Sequence, residues 1–316
     1  MAKAQIPETL KADLPHNKWG KILAMTPVVM TVIATLLAGL SSSEMIRAQY
    51  DRSLASQQQS KAGDQWGYFQ AKRLRAALQR NTLDVLHGTS SVHPFDAQIV
   101  AMTVNGKPAQ AVLDSAAGQQ ALDSLSHGNV PVAGPEPVLA APIAAVLAAV
   151  DAGQSDADIA QLLKSVKNTD LTRALTDASA HIRDFDATLK PVTSAIDTLE
   201  KELSRLPITM NGAPNPLTRV FIPARLAYSA QRYDLEARQN QVIAQLLELQ
   251  VRQSNVSAER HHSRSGFFFY GMLGAQLAVI VSTLSLAVQR RNVLWLIAAV
   301  AGVLALIFAV YVYLFV

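Results

Sequence analysis

The stretch Ile22-Leu-Ala-Met-Thr-Pro-Val-Val-Met-Thr-Val-Ile-Ala-Thr-Leu-Leu-Ala-Gly-Leu40 carries no charged residue. A helix needs roughly 20 apolar residues to cross ~30 Å of hydrocarbon, so this run is long enough to span a bilayer. Two more uncharged runs, 267–288 and 293–316, follow near the other end, separated only by Gln289-Arg290-Arg291-Asn292. The layout predicts an integral membrane protein with three transmembrane helices and one large domain between the first and the second.

Charge orients that layout. Residues 1–21 hold Lys3, Lys11, Lys18 and Lys21 against Glu8 and Asp13, and the last turn holds Arg290 and Arg291. These two segments account for the whole net charge of +4, so everything between them is neutral in sum. Short loops rich in Lys and Arg stay cytoplasmic. Two spans separate the N-terminal segment from the Arg290-Arg291 turn, which puts both on one side, and the central domain is expected on the extracytoplasmic side. The pI near 9.3 is thus a topology signal, and no nucleic-acid partner is expected from it. A 21-residue leader, a 19-residue apolar run and the lack of a clean small-x-small cleavage site lead to the expectation of a retained anchor rather than a signal peptide. The cysteine count of zero excludes disulfides, thiol catalysis and Cys-ligated metals.

From Ser41 to about Leu86 there is no proline, and helix formers dominate. This reads as one long helix continuing out of the first span, with Gly63 and Gly67 as its weakest point and His87-Gly88 as its end. After a loop at 206–217, a second long helix is predicted from about Pro223 to Arg264, leading into the second span. The outgoing helix repeats Ala48, Ala55, Ala62, Phe69, Ala76 and Leu83 at intervals of seven. The returning one repeats Phe221, Tyr228, Leu235, Val242, Leu249 and Val256. Antiparallel pairing of Ala48 with Val256, through to Leu83 with Phe221, keeps one register from the bilayer exits Leu40 and Arg264 outward. Small Ala on one helix lets larger residues of the other pack close.

The segment 88–206 is expected to form a mostly helical cap. Gln98 to Val104 and Lys107 to Leu113 flank Asn105-Gly106, a pair that favours a two-residue β-hairpin, with Pro108 limiting the second strand to an edge. Ser155 and Asp158 read as a capping-box variant opening a helix at 156–167. Further helices are expected at 169–189 and 191–205, broken at Pro191. The fold class is therefore mainly α: three transmembrane helices, a long antiparallel helical-hairpin stalk, and a helical cap with one possible small β-hairpin. The expected segments are 1–21 (cytoplasmic), 22–40 (first span), 41–87 (outgoing helix) and 88–206 (cap). They continue as 207–264 (loop and returning helix), 267–288, 289–292 and 293–316.

The stretch Ser60-Lys-Ala-Gly-Asp-Gln-Trp-Gly-Tyr-Phe-Gln-Ala-Lys72, just after an N-terminal span, resembles the signature helix of a bacterial membrane-protein family catalogued as domain of unknown function 4337. Val288-Gln-Arg-Arg-Asn-Val-Leu-Trp295 and the final span are similar to that family too. The resemblance covers about 22–86 and 240–316, with 88–206 standing as an insertion. It implies an architecture and neither an activity nor a ligand.

His87, Ser90, Ser91, His93 and Asp96 invite thought of a triad or metal site, but lack nucleophile-elbow or zinc-ligand spacing and read as a polar loop. Asp151, Asp156 and Asp158 lack the terminal Glu of a calcium loop and read as helix-start carboxylates. Arg260, His261, His262 and Arg264 lie where the returning helix meets the bilayer and suit lipid headgroups. Trp66 and Tyr68, with Phe69, are a candidate interface, because aromatics anchor contacts. So are Gly271, Gly274 and Gln276 in the second span, which Ala275, Ala278, Ser282 and Ser285 extend and Thr26, Thr31 and Thr35 could meet. Tyr311 and Tyr313 suit the outer membrane interface. The spans hold no ionisable group apart from tyrosine, which counts against ion-coupled transport.

The expected function is a non-enzymatic, homo-oligomeric membrane scaffold or accessory subunit of a cell-envelope complex. Its partners would be itself, the bilayer and another envelope complex, and no cofactor or metal is expected. The alternative is a channel-like or efflux-adaptor oligomer, with Thr31, Thr35, Gln276 and Ser282 as the plausible polar lining.

Overall fold

The computed structural model describes residues 18–89, 92–103, 106–132, 134–205, 216–287 and 291–315. Among these it contains helices and no strand: α1 (Lys18–Thr89), α2 (Ala97–Thr103), α3 (Lys107–Leu113), α4 (Ala116–His127), α5 (Ala141–Asp151), α6 (Asp156–Leu163), α7 (Asn168–Ser204), α8 (Pro216–Ala287) and α9 (Arg291–Phe315). Three of them, α1, α8 and α9, are long and apolar enough to cross a membrane. Helices α1 and α8 are 72 residues each, and Gly63 and Gly67 interrupt neither the hydrogen bonding nor the run of α1.

The chain divides into two compact units. The first comprises residues 1–55 and 253–316, the second 56–252. In the first unit the three apolar segments pack as helices. Met30, Ile33, Ala34 and Leu37 of α1 recur at helical spacing and meet Phe268, Ala275 and Ala278 of α8 and Ala305 and Val312 of α9. Gly302 of α9 lies so close to Met30 that an added Cβ would collide with the thioether. The Trp295 indole N–H donates to Thr26 Oγ1 at 2.8 Å, which ties α9 to α1 near the start of the run.

The second unit holds two apolar cores. One gathers Val100 of α2, Ala109 and Leu113 of α3, Ala121, Leu122 and Leu125 of α4 and the C-terminal half of α7 against Phe221 and Tyr228 of α8. The other gathers Ile143 and Val146 of α5, Ile159 and Leu163 of α6 and the N-terminal half of α7 against Ala62 of α1 and Leu246 and Leu249 of α8.

Four expectations need correction. The hairpin at 98–113 is a pair of short helices. Asp96 accepts from the Gln98 amide at 2.8 Å and caps α2, while Gly106 and Pro108 open α3. Proline lacks an amide hydrogen, a defect in a strand ladder but harmless in a helix's first turn. Asn105 lies outside the described residues. Pro191 does not divide the third cap helix: α7 runs from Asn168 to Ser204 with the proline inside it. Phe185, Leu189, Val192, Ile196 and Leu199 form one buried stripe through that point. Burying such side chains is worth ~1.5–3 kcal/mol each, which outweighs the ~3 kcal/mol proline penalty. For the same reason α8 begins at Pro216 and carries Pro223 inside, flanked by buried Leu217, Phe221 and Leu226. Finally, α6 stops at Leu163 rather than 167, and the side chain of Ser155 caps its start, accepting from the Asp158 amide at 3.3 Å.

Candidate functional site

The candidate surfaces are built on α1 and α8, so the chemistry begins with what holds those helices together in each unit. In the first unit Ser41 and Ser265 clasp reciprocally. The Ser41 hydroxyl donates to the Ser265 carbonyl at 2.9 Å, and the Ser265 hydroxyl donates to the Ser41 carbonyl at 2.8 Å. One turn further, Glu44 Oε2 lies 2.5 Å from His261 Nδ1, and Arg47 donates to the other carboxylate oxygen at 3.2 Å. Ser257 donates to Asp51 at 2.6 Å. His261, expected at lipid headgroups, is therefore turned inward to Glu44, whereas His262 is exposed.

In the second unit the aromatic stretch carries the fastening. The Trp66 indole donates to Glu248 at 2.9 Å, and its ring meets Phe69 edge to face at 5.4 Å. Lys72 pairs with Glu236, and Arg80 with Asp234. Glu236 also faces Arg232 Nε at 3.3 Å, and Arg232 donates to Thr193 of α7 at 3.2 Å. The Tyr233 ring sits under Lys72, Arg75 and Arg232, with the Arg232 guanidinium nearest at 4.6 Å. Partial removal from water raises the Asp186 pKa above its ordinary value. Nearby Glu236 adds to the rise, and Lys72 and Arg232 oppose it. Burial likewise raises the Tyr228 phenol. Partial burial strengthens the attraction within such pairs and also the desolvation cost against them, so their main effect is to fix which residues of α1 and α8 face each other.

Residues 19–111 match a family model, Domain of unknown function (DUF4337). The matched segment contains the aromatic fastening, and it extends past residue 88 through α2 into α3, so the first cap helices share it rather than lying in an insertion. It ends before 240–316, the other part of the expected resemblance. No curated protein and no solved structure matches the chain.

The expected seam residues fall as follows. Ala48, Ala55, Ala62 and Ala76 of α1 and Tyr228 and Leu249 of α8 are buried, while Phe69, Leu235, Val242 and Val256 are half-buried. Tyr68 points away and is exposed. On the side of α1 away from Ala76, a second row is uncovered: Ala71, Leu74, Leu78 and Val85, with the last three 62%, 54% and 62% exposed. Its spacing of three, four and seven places these residues on one helix face. No sequence signal other than that spacing marked this row, and the alanine seam drew attention from it.

Within the second span, Gly271 is buried beside Leu37 and Phe308, and a methyl group there would make ordinary contacts at 3.5 Å and 3.7 Å. Gly274 has nothing within 4 Å of the corresponding position. Ser282 and Ser285 are fully buried and bonded to carbonyls of their own helix. Thr31, Thr35 and Gln276 are exposed, and the two threonines bond back to carbonyls one turn earlier. Arg290 lies outside the described residues, and Arg291 is the first residue of α9.

The polar sets that resembled reactive sites serve the backbone or pair singly. Asp96 caps α2, Asp158 bonds Ser155, Asp156 accepts from Arg252 at 2.9 Å, and Asp151 faces Gln245 at 3.5 Å. Ser90 and Ser91 lie outside the described residues, and His87 and His93 are exposed.

Proposed function

We propose that this protein is a non-enzymatic, homo-oligomeric membrane scaffold, an accessory subunit of a cell-envelope complex. Three apolar helices anchor it, with the N-terminal segment and the Arg290-Arg291 turn cytoplasmic and residues 41–264 outside the inner membrane. Its partners are further copies of itself, lipid and another envelope complex, and nucleic acid is not among them.

The observation that carries this reading is the uncovered row Leu74, Leu78 and Val85 on a helix whose opposite face is already committed to α8. An apolar row on a helix outside the bilayer loses free energy to water unless something covers it, at ~25 cal/mol per Å². The charged side chains of α1 and α8 support the same reading, because Glu44, Lys72, Arg80, Arg232 and Glu236 spend their interactions on holding helices in place.

Native mass spectrometry from nanodiscs, on protein purified from its own membranes, tests the proposal. Masses at multiples of the chain, alone or with a second envelope protein, are expected. A stable monomer with nothing bound would overturn it.

A further inference from the structure

Gln276 stands near the middle of the second span, in the first compact unit, where α8 packs against α1 and α9. Counting at ~1.5 Å per residue, it lies about 14 Å from residue 267 and about 18 Å from residue 288, near the midplane of a ~30 Å hydrocarbon layer. Its neighbours Ala275 and Ala278 turn into the bundle and are buried, whereas Gln276 is exposed on the outer side. It has no hydrogen-bond partner among the described residues. A glutamine side chain reaches about one helical turn, ~5 Å, so the amide cannot extend to either interface. Thr31, Thr35 and Thr283, the exposed threonines of the first two spans, satisfy themselves on carbonyls of their own helices. A primary amide cannot do so fully, because it carries two donors and two lone pairs.

In hydrocarbon there is no water to complete such a group, so another protein group must. We infer that the outer face of α8 around Gln276 is the intramembrane interface between copies of this chain, with Gln276 of one copy hydrogen-bonded to Gln276 of the next. Two copies in one membrane share one orientation, so the same residue arrives at the same depth from both. An amide is donor and acceptor at once, which makes it complementary to its own copy across a two-fold axis. Phe269, Leu273, Ile280 and Thr283 flank Gln276 at intervals of three, four and seven, all exposed, and form the apolar ridge that such a pair would close over. This inference rests on the homo-oligomeric reading and assigns it a surface.

The chain has no cysteine, so single cysteines can report the contact in the full-length protein. In native membranes, Ile280→Cys and Thr283→Cys should cross-link into disulfide-bonded dimers on oxidation. Leu304→Cys, facing outward near the middle of α9, should not. In nanodiscs of bacterial phospholipid, Gln276→Leu should weaken self-association about three- to thirty-fold, the range measured for single interhelical hydrogen bonds in membranes. Gln276→Asn should restore part of it. If Gln276→Leu assembles like wild type, or Leu304→Cys cross-links better than Ile280→Cys and Thr283→Cys, this interface is wrong while the scaffold reading stands. A wild-type chain that is monomeric in nanodiscs overturns both.

Discussion

Ala62 is completely buried where α1 meets the second apolar core of its unit, beside Leu246 and Leu249. An alanine there permits the approach of larger residues from α5, α7 and α8, and no space is left for three more carbons. Ala62→Leu is expected to destabilise the helical domain by ~1–3 kcal/mol through overpacking, read as a lower denaturant midpoint. Asp186 makes a different residue-scale prediction. Its pKa is raised in the folded protein, so the native state holds the proton more tightly than the unfolded chain does. The favourable contribution is full below the ordinary carboxylate value and is lost as pH rises through the higher folded value. Asp186→Asn should therefore gain stability relative to wild type at pH 7, and that gain should vanish near pH 3. Thermal melts across this range would show the two curves converging in acid. Nothing in the local sequence announced this carboxylate, because Glu236, Lys72 and Arg232 reach it only once α1, α7 and α8 are assembled.

At the scale of elements, α4 shows how tightly its start is specified. Ser115 accepts from the Gly118 amide at 3.0 Å, and Gly118 lies against the carbonyl of Val112. A Cβ at 118 would strike that backbone atom, and backbone cannot step aside as a side-chain end can. Ser115→Ala should cost ~0.5–2 kcal/mol through the lost cap. Gly118→Ala should cost at least as much, although alanine is the better helix former, and circular dichroism melts can rank the two. Gly118 separates local from tertiary information, since propensity favours alanine there and only the neighbouring turn forbids it. The hairpin expectation at 98–113 failed on the same distinction. Asn105-Gly106 is a local turn signal, but Val100, Ala109 and Leu113 bury against α7 and α8 best as helices. Pro191 and Pro223 likewise read as boundaries until the continuous apolar stripes on either side are counted.

For the whole molecule, topology and assembly are the testable properties. Lys11→Cys and Gln57→Cys lie on either side of the first span in the absence of any native cysteine. A membrane-impermeant maleimide applied to intact spheroplasts should label cysteine 57 and leave cysteine 11 unlabelled until the membrane is opened. The reverse pattern would invert the proposed orientation. Three apolar helices, the two long helices, and the burial of Ala48, Ala55, Ala62 and Ala76 were all legible from composition and seven-residue spacing. These features depend on periodicity along one segment, which a sequence displays directly. The Glu44–His261 contact, the Trp66–Glu248 bond and the cluster around Glu236 join residues far apart in the chain, with polar groups that carry no periodic signal. Which face of each long helix stays uncovered was also decided only in three dimensions. The sequence alone determined that this chain is helical and carries three segments long and apolar enough to cross a membrane, because hydropathy and spacing are local quantities. Tertiary structure decided that Leu74, Leu78, Val85 and Gln276 face outward, because exposure is what remains after every other helix has taken its place.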